Sequence, residues 1–143
     1  MKCYTYIEKV DEEKVLIYAS ERTKLIDEIE SLVTSSDINI TGTYNDEIIK
    51  IDITDVSCFL SENNKVFALI NDKKYQIKQR LYQIEEMNLE SFIKINQSCL
   101  ANKKKIKKFE STIGGSLKVV FKNGYIDYIS RRELKNVKQR MGL

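Results

Sequence analysis

The chain of 143 residues contains no histidine and no proline, and it has only three cysteines and no long apolar run. Each shortage excludes something. Without histidine the commonest general base and metal ligand is missing, which removes triad hydrolases and most zinc enzymes. Cys3, Cys58 and Cys99 are odd in number and far apart, a spacing that fits neither a disulfide framework nor a zinc site. They read as small core residues. The longest apolar stretches are short pieces such as VLIYA and VFALI, well below the roughly 20 residues of a membrane-crossing helix. MKCYTYIEKV has no apolar h-region followed by a cleavage site, so a cytoplasmic location is expected. No glycine-rich phosphate loop occurs, and Asp11-Glu12-Glu13 lacks the spacing of a calcium loop. Glu85-Glu86 reads as a solvated helix face, and no serine or cysteine has a base nearby in sequence. The chain is therefore expected to be no enzyme and to need no cofactor or metal.

What is present is charge, unevenly divided. Residues 1–56 hold 6 Lys+Arg against 13 Asp+Glu, and residues 57–143 hold 18 against 8, giving net charges of −7 and +10. An acidic front and a clustered basic back turn the C-terminal part toward a polyanion. The length suits one domain, or one domain with a small appendage.

Alternation and turn residues organise the chain as mostly β. KCYTYIEK and EKVLIYAS read as strands around the acidic turn. Ser20 is placed to cap a helix whose Leu25, Ile26, Ile29, Leu32 and Val33 form one apolar stripe. SSDINITGTYNDEIIKIDI supplies two more strands, completing a β-β-α-β-β unit. Beyond residue 53, VSCFLSE, KVFALIN, KKYQIK, SFIKIN and KIKKFES read as strands, and RLYQIEEM as a short helix. Leu117, Val119 and Phe121 alternate with lysines, and Asn123-Gly124 signals a hairpin returning through YIDYIS. Ser130 and Glu133 have the spacing of a capping box for a last helix lined by Leu134, Val137 and Met141.

Three stretches bear on binding. In NKKKIKK, Lys103, Lys104, Lys105, Lys107 and Lys108 repel one another, and phosphates would relieve that repulsion with release of counterions. The alternative is an edge strand guarded by lysine. In SRRE, Arg131 and Arg132 occupy the first turn of the last helix. They and the helix N–H groups would face the same anion; a surface salt-bridge pair is the alternative. Asn96 and Gln97 lie at a polar turn, where an amide can pair with adenine or satisfy turn backbone.

Residues 54–141 resemble the LytTR family of bacterial DNA-binding domains. The matching pieces are DVSCFLSENNKVFALIN, YQIKQRLYQIEE, FIKINQSCLANKKKI and LKVVFKNGYIDYISRRELKNVK, in that order. The third piece runs Lys94-Ile95-Asn96-Gln97-Ser98 with Asn102 closing it. Asn96 departs from the histidine that many members carry there. The resemblance implies a mostly β fold that presents loops, rather than a recognition helix, to successive major grooves. It implies binding to paired direct repeats in promoters. By motif, Gln97 matches a base-contacting turn position and Arg132 the arginine at the end of the last strand. Asn64 and Lys65 lie in the loop matching the third contact region, although the usual residue types are not kept. Lys103, Lys104, Lys105 and Arg131 are added on electrostatic grounds. Short members of this layout often sit beside genes for small membrane proteins that restrain them, so such a protein is one expected partner.

The expected fold class is α+β, mostly antiparallel β. Residues 1–53 form a small acidic unit for dimerisation or partner binding, and residues 54–143 a LytTR-type domain that binds double-stranded DNA and regulates transcription. The acidic unit is too short for a phosphoacceptor receiver domain. Two alternatives are a single-strand or RNA binder stacking bases on Tyr125 and Tyr128, and a charge-segregated protein-interaction module.

Overall fold

The computed structural model describes residues 1–36 and 38–143. Seven strands form one sheet: β1 (Thr41–Tyr44), β2 (Glu47–Lys50), β3 (Cys58–Glu62), β4 (Lys65–Ile70), β5 (Lys73–Ile77), β6 (Phe92–Asn96) and β7 (Cys99–Asn102). Their order is β2-β1-β5-β4-β3-β7-β6. A second sheet joins β8 (Ile106–Ser111), β9 (Leu117–Phe121) and β10 (Ile126–Tyr128) in the order β10-β9-β8. All pairings are antiparallel. The helices are α1 (Lys24–Ser36), α2 (Leu81–Glu86) and α3 (Arg131–Met141). The fold is thus α+β and mostly antiparallel β.

Side-chain alternation splits the interior into two layers, one on each face of the large sheet. Phe59 and Leu100 point to one layer, with Val66, Ile77, Leu81, Ile84 and Phe92. Their neighbours Cys58, Leu60, Cys99 and Ala101 point to the other, with Ile93, Ile95, Val119, Phe121 and Val137. The first layer is closed by α2 and the second by the small sheet and α3, whose Val137 is fully buried and flanked by Leu134 and Met141. β3 and β7 are therefore apolar on both faces, which explains the unbroken run CFL and makes β7 a strand. Sequence periodicity does not reveal β7, because four residues are too few to show a period.

Tight turns join the strands. Asn63 and Asn64 both have positive φ (50° and 62°), as do Asn45 and Asp46 (46° and 64°), the conformation of a two-residue type I′ hairpin. Asn123-Gly124 belongs to a longer loop: Gly124 N–H bonds the Phe121 carbonyl at 3.0 Å and Phe121 N–H bonds the Tyr125 carbonyl at 2.8 Å. The hairpin forms, with three residues in its loop. Gly42 on β1 sits where a Cβ would come within 2.7 Å of both Ile51 Cδ1 and Tyr75 Cβ.

Five local expectations are corrected. Cys58 and Cys99 are buried core residues, but Cys3 is exposed. Residues 1–22 form no strand, so the N-terminal unit is not β-β-α-β-β; only α1, β1 and β2 form. Tyr4, Tyr6, Ile7, Leu16 and Tyr18 remain exposed, and a hairpin without a face to pack on is marginal in water. β1 instead pairs with β5, through Gly42 opposite Ile77 and Thr43 opposite Gln76. Helix α1 starts after Thr23, whose Oγ1 accepts from Ile26 N–H at 3.4 Å, and not after Ser20. Of its stripe, Ile26 is buried while Leu25 and Leu32 are exposed. Ser130 has N-cap backbone geometry but makes no side-chain cap. The N–H that Glu133 would accept is taken by the Ile95 carbonyl at 2.8 Å. Asp37, read as part of a strand, lies outside the described residues.

Asn102 is the most buried amide, 2% exposed. Its Nδ2 donates to the Val56 carbonyl at 2.8 Å, and its Oδ1 accepts from Lys104 N–H at 3.0 Å. Asn102→Ala orphans both groups and is expected to cost about 1–3 kcal/mol. The check is a lowered urea midpoint with unchanged slope.

Candidate nucleic-acid interface

Strand register sorts the sequence-derived residues between two ends of the molecule. At one end, Gln97 and Ser98 form the exposed tip of the β6–β7 hairpin. Ser61 N–H bonds the Ser98 carbonyl at 2.9 Å, which sets the Asn63-Asn64 turn beside it. Arg80 Nη1 donates to the Asn64 carbonyl at 2.7 Å, adding a cation next to Lys65. Ser130 N–H on the Ile95 carbonyl brings the start of α3, with Arg131 and Arg132, to the same end.

These side chains differ in how they are used. Gln97, Lys65, Arg131 and Arg132 are exposed, and none has a side-chain hydrogen bond or ion pair among the described residues. The salt-bridge alternative for the two arginines therefore finds no partner there. Asn96 is committed: its Nδ2 donates to Asp127 Oδ1 at 3.1 Å and to the Tyr128 carbonyl at 2.8 Å, and its Oδ1 accepts from Ser98 N–H at 2.8 Å. Tyr125 packs against Phe121, ring centroids 5.7 Å apart, so its ring is not a free stacking platform. Burial, with the nearby Asp127 charge, pushes the Tyr125 phenol well up. Tyr128 is exposed.

Lys103, Lys104 and Lys105 lie at the other end. Lys103 N–H bonds the Ser91 carbonyl at 2.7 Å, at the foot of β6, and the Lys105 carbonyl accepts from Lys122 N–H at 2.9 Å. A five-residue strand separates them from Gln97, roughly 15 Å at the usual rise. The three form a 3-10 turn started by Asn102. Burial and then the repulsion of Arg140 lower the Lys103 pKa, against the opposing pull of Glu90. Lys107 and Lys108 enter β8, an edge strand as the alternative reading had it. There Glu110 holds Lys108 and Lys118, both at 2.7 Å.

Sequence reasoning missed Arg80 and Asp127. Arg80 is distant in sequence from the turn it supports, and only the β4–β5 register (Val66 opposite Ile77) returns it there. Asp127 had no signal, being one acid in an alternating strand. Among the described residues, no cluster of His, Cys, Asp or Glu is placed to hold a metal ion, and no helix is long and apolar enough to cross a membrane.

A mostly antiparallel fold that gathers exposed cations and an amide at strand ends defines a loop-presenting, polyanion-directed domain. Residues 46–142 match the LytTr DNA-binding domain family, and the chain belongs to that family. Proteins of Staphylococcus aureus strains COL and bovine RF122 / ET3-1, each bearing the name uncharacterized HTH-type transcriptional regulator, are 30% and 31% identical to it over 125 residues. The alignments cover 84% of this chain and 85% of each relative. The LytTr DNA-binding domain of a putative methyl-accepting/DNA response regulator from Bacillus cereus superposes with a TM-score of 0.67 at 18% identity, covering 74% of this chain and 99% of that one. Although the relatives' names say HTH-type, α1, α2 and α3 here are separated by strands, and no two adjoin as a helix-turn-helix among the described residues.

Glu110 generates a pH prediction. Hydrogen bonds from Lys108 and then Lys118 lower its pKa to about 2. A depressed carboxylate contributes stability above its unfolded pKa, near 4.3, and the contribution is lost as pH falls toward 2. Carbon-detected NMR titration is expected to show Glu110 titrating near 2, and Lys108→Met to move it up toward an ordinary glutamate.

Proposed function

We propose that the chain is a transcriptional regulator that reads duplex DNA sequence-specifically through the tips at one end of its large sheet. Gln97 and Arg132 are the base readers, with Arg131, Asn64 and Lys65 beside them and Asn96 behind Gln97. Lys103, Lys104 and Lys105 bind phosphate farther along the duplex. One observation carries this: three separate chain segments are hydrogen-bonded to a common end, while the Gln97, Arg131 and Arg132 side chains have no partner among the described residues. The β6–β7 and β3–β4 tips are two strand spacings apart, roughly 10 Å, comparable with a major groove of about 12 Å. A long guanidinium suits guanine, and an amide suits adenine. Paired direct repeats in promoters are the targets the family resemblance implies.

Residues 1–53 are proposed as the dimerisation or partner-binding unit, and 54–143 as the DNA-binding unit. Tyr4, Tyr6, Ile7, Val15, Leu16, Tyr18 and Leu25 are all exposed. Three tyrosines alone could cover about 450–750 Å², against about 800 Å² per partner in a stable complex. A second copy is the proposed partner, with a small membrane protein as the regulator that would compete for the same surface.

Fluorescence anisotropy tests the DNA reading, using a duplex selected by the protein from a random pool and a scramble of it. Gln97→Ala or Arg132→Ala is expected to cost about 1–3 kcal/mol on the selected duplex and little on the scramble. Replacing Lys103, Lys104 and Lys105 by Ala is expected to weaken both duplexes alike and to flatten the salt dependence, by about 0.9 in slope for each phosphate no longer neutralised. Equal losses on both duplexes for both sets of variants would sink base readout. For the N-terminal unit, sedimentation of the full chain is expected to show a dimer that Tyr6→Ser with Tyr18→Ser weakens; an unchanged monomer in both would reject it.

A further inference from the structure

We infer that Asp127 is a positioning residue for DNA readout, the group that orients Asn96 and through it presents Gln97. The inference rests on the base-reading role proposed for Gln97 and Arg132. Asp127 lies on β10, in the small sheet, yet Oδ1 of its carboxylate reaches Asn96 Nδ2 at the end of β6, 3.1 Å away. The same oxygen accepts from Tyr128 N–H at 2.7 Å, and Oδ2 faces the Tyr125 hydroxyl at 3.5 Å. The carboxylate is thus oriented by its own strand before it meets Asn96.

The chemistry of the pair leaves one orientation. An ionised carboxylate only accepts hydrogen bonds, so the NH2 side of the Asn96 amide must face Asp127. The second amide hydrogen goes to the Tyr128 carbonyl at 2.8 Å. The oxygen is then turned toward Ser98 N–H, which it accepts at 2.8 Å. That last bond spans Gln97, closing a side-chain turn around it and aiming the one residue between them outward. The adjoining bond from Ser130 N–H to the Ile95 carbonyl joins the same strand end to the first turn of α3. One carboxylate therefore sits at the junction of the Gln97 tip and the Arg131-Arg132 helix start.

Electrostatics makes the test sharp, because it predicts the opposite sign. Removing a negative charge near bound DNA strengthens binding to any duplex. A positioning role predicts that Asp127→Ala weakens the selected duplex alone, by about 10-fold, the worth of one charge-assisted hydrogen bond. Asp127→Asn keeps an acceptor oxygen for Asn96 and Tyr128, so it is expected to restore the selected duplex to the wild-type level or tighter. In ¹⁵N–¹H spectra, the Asn96 side-chain amide and the Ser98 backbone amide are expected to shift in Asp127→Ala and to hold in Asp127→Asn. Asn96→Ala combined with Asp127→Ala should lose no more than Asn96→Ala alone.

Equal tightening of both duplexes by Asp127→Ala, or an unchanged ratio between them, overturns the inference. So does failure of Asp127→Asn to restore that ratio. Gln97→Ala and Arg132→Ala are measured in parallel: if neither changes the ratio, base readout itself falls, whereas if both do and Asp127→Ala does not, only the role of Asp127 falls. Should Asp127→Ala not fold, Asp127→Ser, which removes the carboxylate and leaves the Asn96 bonds to Tyr128 and Ser98 in place, is read in its place, loss on the selected duplex supporting the inference and no loss overturning it.

Discussion

The pairing of β3 with β7 is the contact on which the rest of the architecture hangs. Cys58 lies opposite Ala101 and Leu60 opposite Cys99, with Phe59 and Leu100 facing the other way. Two strands apolar on both faces must be covered twice, and this requires an α2 layer below and a small sheet with α3 above. The same register decides which turns share an end, because antiparallel strands of four to six residues leave little slack between one tip and the next. The end proposed to bind DNA is in this sense a by-product of core pairing, and its residues need no contact with one another to be neighbours.

Much of this was legible in the residues. The stripe of Leu134, Val137 and Met141 marked α3, Leu81 and Ile84 marked α2, alternation marked β9, and short apolar segments between turn residues marked β3, β4, β5 and β6. What was hidden depended on partners remote in sequence. β7 is too short to carry a period, and its burial comes from β3 and β6 on either side. Conversely, KCYTYIEK and EKVLIYAS are rich in the aromatic and β-branched residues of strands, but composition only says that a strand would be apolar. It does not supply the surface that such a strand must cover. Ser130 and Glu133 show the same lesson at smaller scale, since their spacing was right but the cap N–H had a competitor in Ile95.

The candidate site divides in the same way. Gln97 and Arg132 stood out through motif, and the lysine run through charge density, all properties of consecutive residues. That the lysines and Gln97 occupy opposite ends of one hairpin follows from register alone. Arg80 and Asp127 were invisible because their meaning lies in an acceptor or donor brought in from another strand. The charge asymmetry was a coarser guide: it located the basic half but not which of its cations are neutralised, as Lys108 and Lys118 are by Glu110.

The type I′ turn at Asn63-Asn64 restricts how this protein can diversify. Two successive residues there hold φ of 50° and 62°, a region that glycine, asparagine and aspartate enter and β-branched or bulky side chains avoid. That tip is written in a nearly three-letter alphabet. Gln97 and Ser98 have no positive φ, so that restriction does not apply to them. If both tips meet DNA as proposed, a lineage changing its target under this backbone keeps one tip almost constant as a spacer and does its substituting at the other.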